Sequence, residues 1–196
     1  MTMRMLTLTL VATASIAGST VALADDDGSQ YRDLYELKQL HEAFHNAVSH
    51  AGIDAATQAK ALEELLALWT EDGVLISKGV TYSGKGRPGT PSCALGALTL
   101  CDLYAHHAGG LVLGHDWVSL TPIFTEVVKV LDEENGQIYF QCIYLDNNTD
   151  QLMSNVTFGL PGKPDTGRAK KVNGHWLFSH GEVASFAPPT LDVSSQ

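Results

Sequence analysis

Apolar residues recur at helical spacing in the first half of the chain and at strand spacing in the second half. Over 31–50 they return every three or four positions, which predicts an amphipathic helix. A second stripe of this kind covers 54–70, where Asp54 is placed to cap the N-terminus. A weaker third helix is predicted over 94–107, and a short strand over 74–76. The N-terminal half is therefore predicted to be mainly helical.

Beyond the third helix, runs of β-branched and aromatic residues alternate with clusters of turn residues, which is typical of strands. The predicted strands cover 117–120, 124–131, 138–145 and 152–158. Asn173-Gly174 separates two further strand-like runs and predicts a tight hairpin, because both central residues of a type I′ turn need positive φ. Helices followed by an antiparallel meander predict an α+β fold, with the helices packed on one face of the sheet.

The N-terminus is typical of a secretory signal peptide over 1–24. Arg4 precedes an apolar stretch of small residues, and Ala22-Leu23-Ala24 is an A-x-A cleavage signal. Serine, threonine and glycine interrupt the stretch, so it matches a membrane anchor poorly. We therefore expect an exported protein, periplasmic or secreted, that is free of the membrane after cleavage. Its single domain is predicted over 25–187, followed by a flexible tail over 188–196.

The net charge and the cysteine content limit which partners and which cellular compartment are expected. The formal net charge is −10, which disfavours nucleic acid, because phosphate binding depends on Lys and Arg. In an oxidising compartment Cys93 and Cys101 are candidates for a disulfide, while Cys142 lies in an apolar run. Within one helix the two candidates would lie about 12 Å apart, too far for a bridge. A bridge requires Cys93 in a loop, and two reduced thiols are the alternative.

Three segments resemble the nuclear-transport-factor-2-like (NTF2-like) superfamily in its SnoaL-like branch. They are the residues 68–76, 82–86 and 171–178, which encode a helix end, a turn and a hairpin. The resemblance implies a cone, in which a strongly curved antiparallel sheet wraps around about three helices and leaves an apolar cavity. It also implies a homodimer through the open sheet face, as in many members. The chain departs from the family pattern over 86–114, which is longer and carries cysteine.

Family members include isomerases, dehydratases, polyketide cyclases and non-catalytic binding modules, so the resemblance leaves the activity open. If Trp176 faces the cavity, alternation along the strand brings His180 to it as an acid/base. A structural, hydrogen-bonded histidine is the alternative for His180. Tyr82 and Tyr104 are candidate donors to an oxyanion. The residues expected to line the ligand are His41, Phe44, Trp69, Trp117, Phe140, Trp176 and Phe178.

His41-Glu42-Ala43-Phe44-His45 matches the H-E-x-x-H motif, in which two histidines one turn apart bind zinc and the glutamate acts as base. Glu42 points away from the apolar stripe, and no third ligand follows at a familiar spacing. A histidine pair at the edge of an amphipathic helix is the favoured interpretation, and zinc hydrolysis is the remote one. We expect no metal and no cofactor.

Two functions therefore remain in competition. The favoured one is an exported domain that binds a small apolar molecule without necessarily transforming it. The other is an isomerase, dehydratase or cyclase that uses His180 on a small apolar carbonyl compound. The polar side chains that line the cavity distinguish the two.

Overall fold

A computed structural model describes residues 28–108, 111, 113–121, 126–149, 151–160 and 162–186. The predicted signal peptide and the C-terminal tail lie outside these residues. Three helices are present in the described part: α1 (Ser29–Val48), α2 (Ala55–Ala67) and α3 (Leu100–His106). Asp54 caps α2 as predicted, because its carboxylate accepts the Thr57 backbone N–H at 2.8 Å. None of the described helices is long and apolar enough to cross a membrane.

The described strands form one sheet. They are β1 (Trp69–Ser77), β2 (Val80–Ser83), β3 (Trp117–Leu120), β4 (Val127–Val130), β5 (Asn135–Asp146), β6 (Leu152–Phe158), β7 (Gly167–Val172) and β8 (His175–Phe186). The main path runs β2-β1-β8-β6-β5-β3, while β4 pairs with β5, and β7 pairs with β5 and β8. Helix α1 contacts β3, β4, β5 and β8, so the sheet folds around it. The predicted α+β class is confirmed.

Three details of the sheet differ from the sequence predictions. Strand β1 pairs with β8 in parallel, so the sheet is mixed rather than purely antiparallel. Residues 71–73, predicted to be a turn, lie within β1 at a register shift. Strand β5 alternates between buried and half-buried residues along most of its length, although its apolar composition suggested burial on both faces. The described helices pack against its inner face, and composition does not reveal which face is covered.

The predicted hairpin is confirmed at the turn between β7 and β8. Asn173 and Gly174 have φ values of 52° and 81°, the left-handed conformation that a type I′ turn requires. The turn sets the pairing of Lys171 with Trp176. The local signal was sufficient here because the turn geometry depends on these two residues alone.

A β-bulge in β8 changes the direction of its side chains. Ala169 pairs with Phe178, whereas the preceding Arg168 pairs with His180, so Ser179 is an extra residue. The alternation shifts by one position at this point. Phe178 lies inside before the bulge, and Val183 lines the interior after it. His180 therefore lies on the sheet face opposite to the one that strict alternation from Phe178 predicts.

A disulfide joins Cys93 to Cys101, with their Cα atoms 4.9 Å apart. Cys93 lies in the short 3₁₀ helix Pro91–Cys93, outside α3. The two cysteines therefore do not share one α-helix, and the sequence spacing required this for a bridge. The third helix is correspondingly shorter than predicted and begins at Leu100. The fully buried Asp102 carboxylate stabilises the intervening loop by accepting backbone N–H groups of Gly96 and Leu98.

Candidate functional site

A cavity of about 310 Å³ lies between the helices and the inner face of the sheet. Its volume falls at the lower end of the range for small-molecule sites, about 300–1,000 Å³. Most of its wall is apolar or aromatic. The lining residues are Phe44, Val48, Leu75, Ser77, Lys78, Leu103, Tyr104, His107, Ala108, Leu111, Trp117, Phe140, Cys142, Tyr144, Val156, Phe158 and Val183.

Tyr104 brings a hydroxyl group to the cavity from α3. The indole N–H of Trp69 donates to the Tyr104 hydroxyl oxygen at 2.9 Å, and both side chains are buried. The tyrosine therefore keeps its own proton to donate to a second acceptor. Burial raises the pKa of Tyr104 above its usual range, so the hydroxyl stays protonated. Tyr104 is thus held as a neutral hydrogen-bond donor.

Trp117 carries a buried donor for which the described residues supply no acceptor. Its side chain lines the cavity, packs edge-on against Tyr144 and has its indole Nε1 shielded from solvent without a hydrogen-bond partner. A buried donor without an acceptor costs about 1–3 kcal/mol. A ligand oxygen or an ordered water in the cavity would remove this cost.

Two buried histidines on α1 lie behind one wall of the cavity. Their Nε2 atoms are 2.7 Å apart, and the Thr121 hydroxyl oxygen lies 2.9 Å from that of His41 and 2.5 Å from that of His45. At the outer ends, His41 Nδ1 lies 2.9 Å from Glu126 Oε1, and His45 Nδ1 lies 2.7 Å from Ser119 Oγ. The pair therefore joins two polar groups that are on opposite sides of it.

Burial keeps both imidazoles neutral. It lowers the pKa of His41 to about 4. For His45, burial and the neighbouring His41 charge lower the pKa to about 4, although a hydrogen bond to the Ser119 backbone opposes this shift. Burial also raises the pKa of the Glu126 carboxyl, against the opposing charge of Lys38. Near neutral pH, each histidine therefore carries a proton on only one ring nitrogen.

Cys142 connects this histidine pair to the cavity wall. Its Sγ lies 3.9 Å from His45 Nε2, and its side chain lines the cavity. Burial raises the pKa of the Cys142 thiol to about 12, so the thiol stays protonated near neutral pH. Burial also raises the pKa of Tyr144, another residue of the cavity wall.

The structure places four of the candidate residues in the cavity wall and the others elsewhere. Phe44, Tyr104, Trp117 and Phe140 line it. Trp69 acts through its hydrogen bond to Tyr104, and Phe178 is buried beneath Phe44 in the aromatic core. His41 faces Glu126 and packs against the ring of Phe140, which lines the cavity.

Trp176 and Tyr82 were expected at the ligand and lie outside the cavity wall. The indole N–H of Trp176 donates to Asp33 at 3.2 Å, which directs the ring beneath α1. Tyr82 packs on His107 with 5.9 Å between the ring centroids. For Trp176 a hydrogen-bond partner on α1 decides the direction of the side chain, and strand alternation could not reveal that partner.

The expected position of His180 is corrected by the bulge at Ser179. His180 lies in a depression on the other side of the sheet, beside Asp132, Arg168 and Lys170. The alternation of Trp176 and Phe178 predicted the cavity side, but it does not continue past the extra residue. The geometric basis for an acid/base role of His180 in the cavity is therefore lost.

The H-E-x-x-H motif does not have the arrangement of a zincin site. Glu42 is exposed and accepts the Gln39 side-chain amide at 3.1 Å, away from the histidines. The two Nε2 atoms contact each other and the Thr121 hydroxyl oxygen. Among the described residues, no group of three or more His, Cys, Asp and Glu side chains could hold a metal ion.

Four functional candidates were not predicted from the sequence: Ser119, Glu126, Cys142 and Tyr144. Cys142 and Tyr144 follow Phe140 on the inner face of β5, so period-two alternation from Phe140 would have found them. Ser119 and Glu126 carry no sequence signal, because their roles depend on a contact with α1 across the fold.

Known proteins share the fold of this chain without close sequence similarity. No protein-family model and no curated protein matches it. A protein of unknown function from Mycobacterium tuberculosis aligns with a TM-score of 0.56 at 13% identity, over 84% of this chain and 78% of that one. A protein of unknown function with a cystatin-like fold from Nostoc punctiforme aligns with a TM-score of 0.54 at 13% identity, over 82% and 95%.

A putative scytalone dehydratase from Novosphingobium aromaticivorans aligns with a TM-score of 0.51 at 10% identity, over 82% of this chain and 89% of that one. At these identities the comparisons show the fold alone. They confirm the NTF2-like fold to which the sequence segments pointed.

Proposed function

We propose that this chain, which has the fold of NTF2-like proteins, binds a small, largely apolar molecule that carries a hydrogen-bond acceptor. The main support is the cavity itself, whose wall is mostly apolar and aromatic. Two donors define the polar part of the ligand. The Trp117 indole N–H has no described partner, and the Tyr104 hydroxyl retains a proton to donate. A carbonyl, ether, nitro or phenolic oxygen on a flat ring system suits this set.

Proton transfer on the bound ligand is the second candidate function. The specific observation is that Tyr104, His107, Cys142 and Tyr144 line one cavity, so groups that can move a proton face the ligand. His107 Nε2 lies 3.6 Å from an oxygen of the buried Asp102 carboxylate. Such a site suits isomerisation, dehydration or cyclisation of a carbonyl compound, with His180 playing no direct part.

Binding of 4-nitroanisole tests the proposal, with quenching of tryptophan fluorescence as the measurement. The wild type should bind it saturably. Val183→Phe places a ring in the cavity and should weaken binding at least tenfold. Trp117→Phe removes the indole N–H but keeps an aromatic ring, and should weaken binding about fivefold, the equivalent of one hydrogen bond.

Val172→Phe is the matched control, because Val172 is exposed beside the β7–β8 turn and away from the cavity. It should bind the probe as the wild type does. Absence of saturable binding to the wild type, or equal affinities for Val183→Phe and Val172→Phe, would contradict the proposal.

We also propose that the protein is exported before it binds its ligand. The signal-peptide pattern over 1–24 is the main support, together with the Cys93–Cys101 disulfide, which is typical of oxidising compartments. The acidic balance leaves little reason to expect nucleic acid as a partner. We further propose a homodimer through the outer face of the sheet, where Tyr139, Gln141 and Ile143 remain only half-buried.

A further inference from the structure

The cavity opens to solvent between the β1–β2 turn and the end of α3. Among the described residues that line it, Lys78 and His107 are exposed, whereas all the others are buried or half-buried. Lys78 lies in the turn between β1 and β2, and His107 directly follows α3. Leu75, Phe140 and Phe158 belong to the buried part of the wall. Lys78 and His107 therefore mark the mouth of the cavity, and the buried apolar residues mark its interior.

The mouth carries a cation that no carboxylate of the described residues neutralises. In the part of the chain that the structure describes, no Asp or Glu lines the cavity. Lys78 has no ion-pair partner among these residues, whereas Lys85, which follows β2, has its Nζ 3.1 Å from Glu71 Oε1. An unpaired ammonium group beside an apolar cavity attracts the negatively charged end of an amphipathic molecule.

Lys78 occupies a turn position that does not suit a lysine. The pairing of β1 with β2 ends at Ser77 and Val80, so the turn consists of Lys78 and Gly79. Their φ values are 51° and 78°, the left-handed conformation of a type I′ turn, in which the first position favours Asn, Asp or Gly. The turn geometry thus gives no reason for a lysine at this position, whereas an ammonium group at the cavity mouth does.

We propose that the ligand of this cavity is an apolar monocarboxylate, with its carboxylate at Lys78 in the mouth and its apolar body in the interior. The inference rests on the proposed function and narrows the class of ligand. The Tyr104 hydroxyl and the Trp117 indole N–H then serve a second oxygen on the buried part of the molecule. A phosphate ester suits the mouth less well, because it carries nearly two negative charges and the described mouth has one lysine.

Two negative charges oppose the binding of an anion. Asp102 Oδ1 lies 3.6 Å from His107 Nε2 at the mouth, but the Asp102 side chain is fully buried and accepts the backbone N–H groups of Gly96 and Leu98. The formal net charge of −10 also repels an anion that approaches from solvent. Lys78 offsets this repulsion locally. Its contribution is therefore measured as a difference between variants at one ionic strength.

A pair of matched probes tests the inference through quenching of tryptophan fluorescence. At pH 7, 4-nitrobenzoate is an anion, whereas methyl 4-nitrobenzoate has the same ring and nitro group without the charge. Lys78→Gln should weaken binding of the anion about fivefold, as expected for an exposed ion pair, and leave binding of the ester unchanged. Lys78→Arg should keep the wild-type affinity for both. Lys129→Gln removes the same charge from an exposed position on β4 outside the cavity wall, and should change neither affinity.

Ionic strength separates the charge of Lys78 from its apolar stem. Between about 0.01 M and about 1 M salt, the ratio of wild-type to Lys78→Gln affinity for 4-nitrobenzoate should fall toward one, because salt screens exposed charges. A ratio that is the same for the ester, or that does not change with salt, would overturn the inference. If the wild type binds the ester and 4-nitroanisole, and Lys78→Gln binds 4-nitrobenzoate as tightly as the wild type does, the carboxylate class is wrong while the binding function stands. If none of these probes binds the wild type, the binding function itself fails.

Discussion

His41 and His45 are buried and titratable, which makes the stability of the fold depend on pH. Burial lowers both pKa values from 6.5 to about 4 in the folded chain. Unfolding releases the rings to water and restores their ordinary pKa. The unfolded state therefore binds more protons between these two pH values, and the free energy of unfolding falls as pH decreases through that window.

We predict that His45→Gln flattens this pH dependence. Between pH 7 and pH 5 each histidine should account for a loss of about 2 kcal/mol. The variant keeps a hydrogen-bonding side chain but cannot titrate, so it should lose about 2 kcal/mol less than the wild type over this interval. Urea unfolding at the two pH values measures the difference.

His175→Gln is the matched control, because His175 is exposed at the start of β8. It should show the pH dependence of the wild type. Equal losses of stability in the wild type and in His45→Gln would mean that His45 already carries a charge in the folded state.

Individual residues could be predicted where their role is local. Asp54 as a cap and Asn173-Gly174 as a turn were found from neighbouring residues alone. His41 was placed near the core by helical spacing, but its partner Glu126 was not found. That contact joins residues 85 positions apart, and no local pattern encodes it.

The loop that leads into α3 depends on the disulfide for its geometry. The bridge closes a short loop over the buried Asp102, whose carboxylate accepts two backbone N–H groups from that loop. A closed loop of this length stabilises the fold by about 2–3 kcal/mol, because it restricts the unfolded chain. Since α3 carries Tyr104 and His107, the same loop supports one side of the cavity.

We predict that Cys93→Ala/Cys101→Ala lowers the melting temperature by about 5–10 °C, as expected for this loss in a chain of this size. Thermal unfolding followed by circular dichroism measures it. A reductant should lower the melting temperature of the wild type to a similar extent and leave the double variant unchanged. A wild type that is insensitive to reductant would show that the bridge contributes little.

The elements themselves were predicted more reliably than their orientation. The strands Trp117–Leu120 and Leu152–Phe158 have the predicted bounds. The side-chain direction along β8 was wrong after Ser179, because a bulge arises from pairing with β7. The sequence of β8 by itself gives no sign that the alternation of its side chains between the two faces is interrupted. Because of this one extra residue, His180, which was expected to act as acid/base, lies on the opposite face of the sheet.

The described helices pack against the inner face of the sheet and leave its outer face without a helix from this part of the chain. Half-buried Tyr139, Gln141 and Ile143 point outward from β5, and the Gln141 amide donates to Asn155 on β6 at 2.6 Å. A two-fold pairing would bring the same residues of both copies together. We predict that the chain over 25–196 sediments at twice its monomer mass, with this face as the interface.

Ile143→Lys should convert that dimer to a monomer, because two like charges would meet near the two-fold axis. Val172→Lys, at an exposed position beside the hairpin turn, should leave it dimeric. Sedimentation velocity distinguishes the two outcomes. A monomeric wild type, or a dimeric Ile143→Lys, would rule out this interface.

The sequence by itself determined the α+β class and the order of elements, since hydrophobic period, caps and turn residues act between near neighbours in the chain. The NTF2-like fold was expected from the resemblance of three segments to that family. The tertiary structure alone decided which side chains face the cavity and which partners the two histidines have. Those choices depend on strand register, on one bulge and on contacts between residues distant in the chain. Each is settled by the free energy of the packed molecule as a whole, so no segment contains the information.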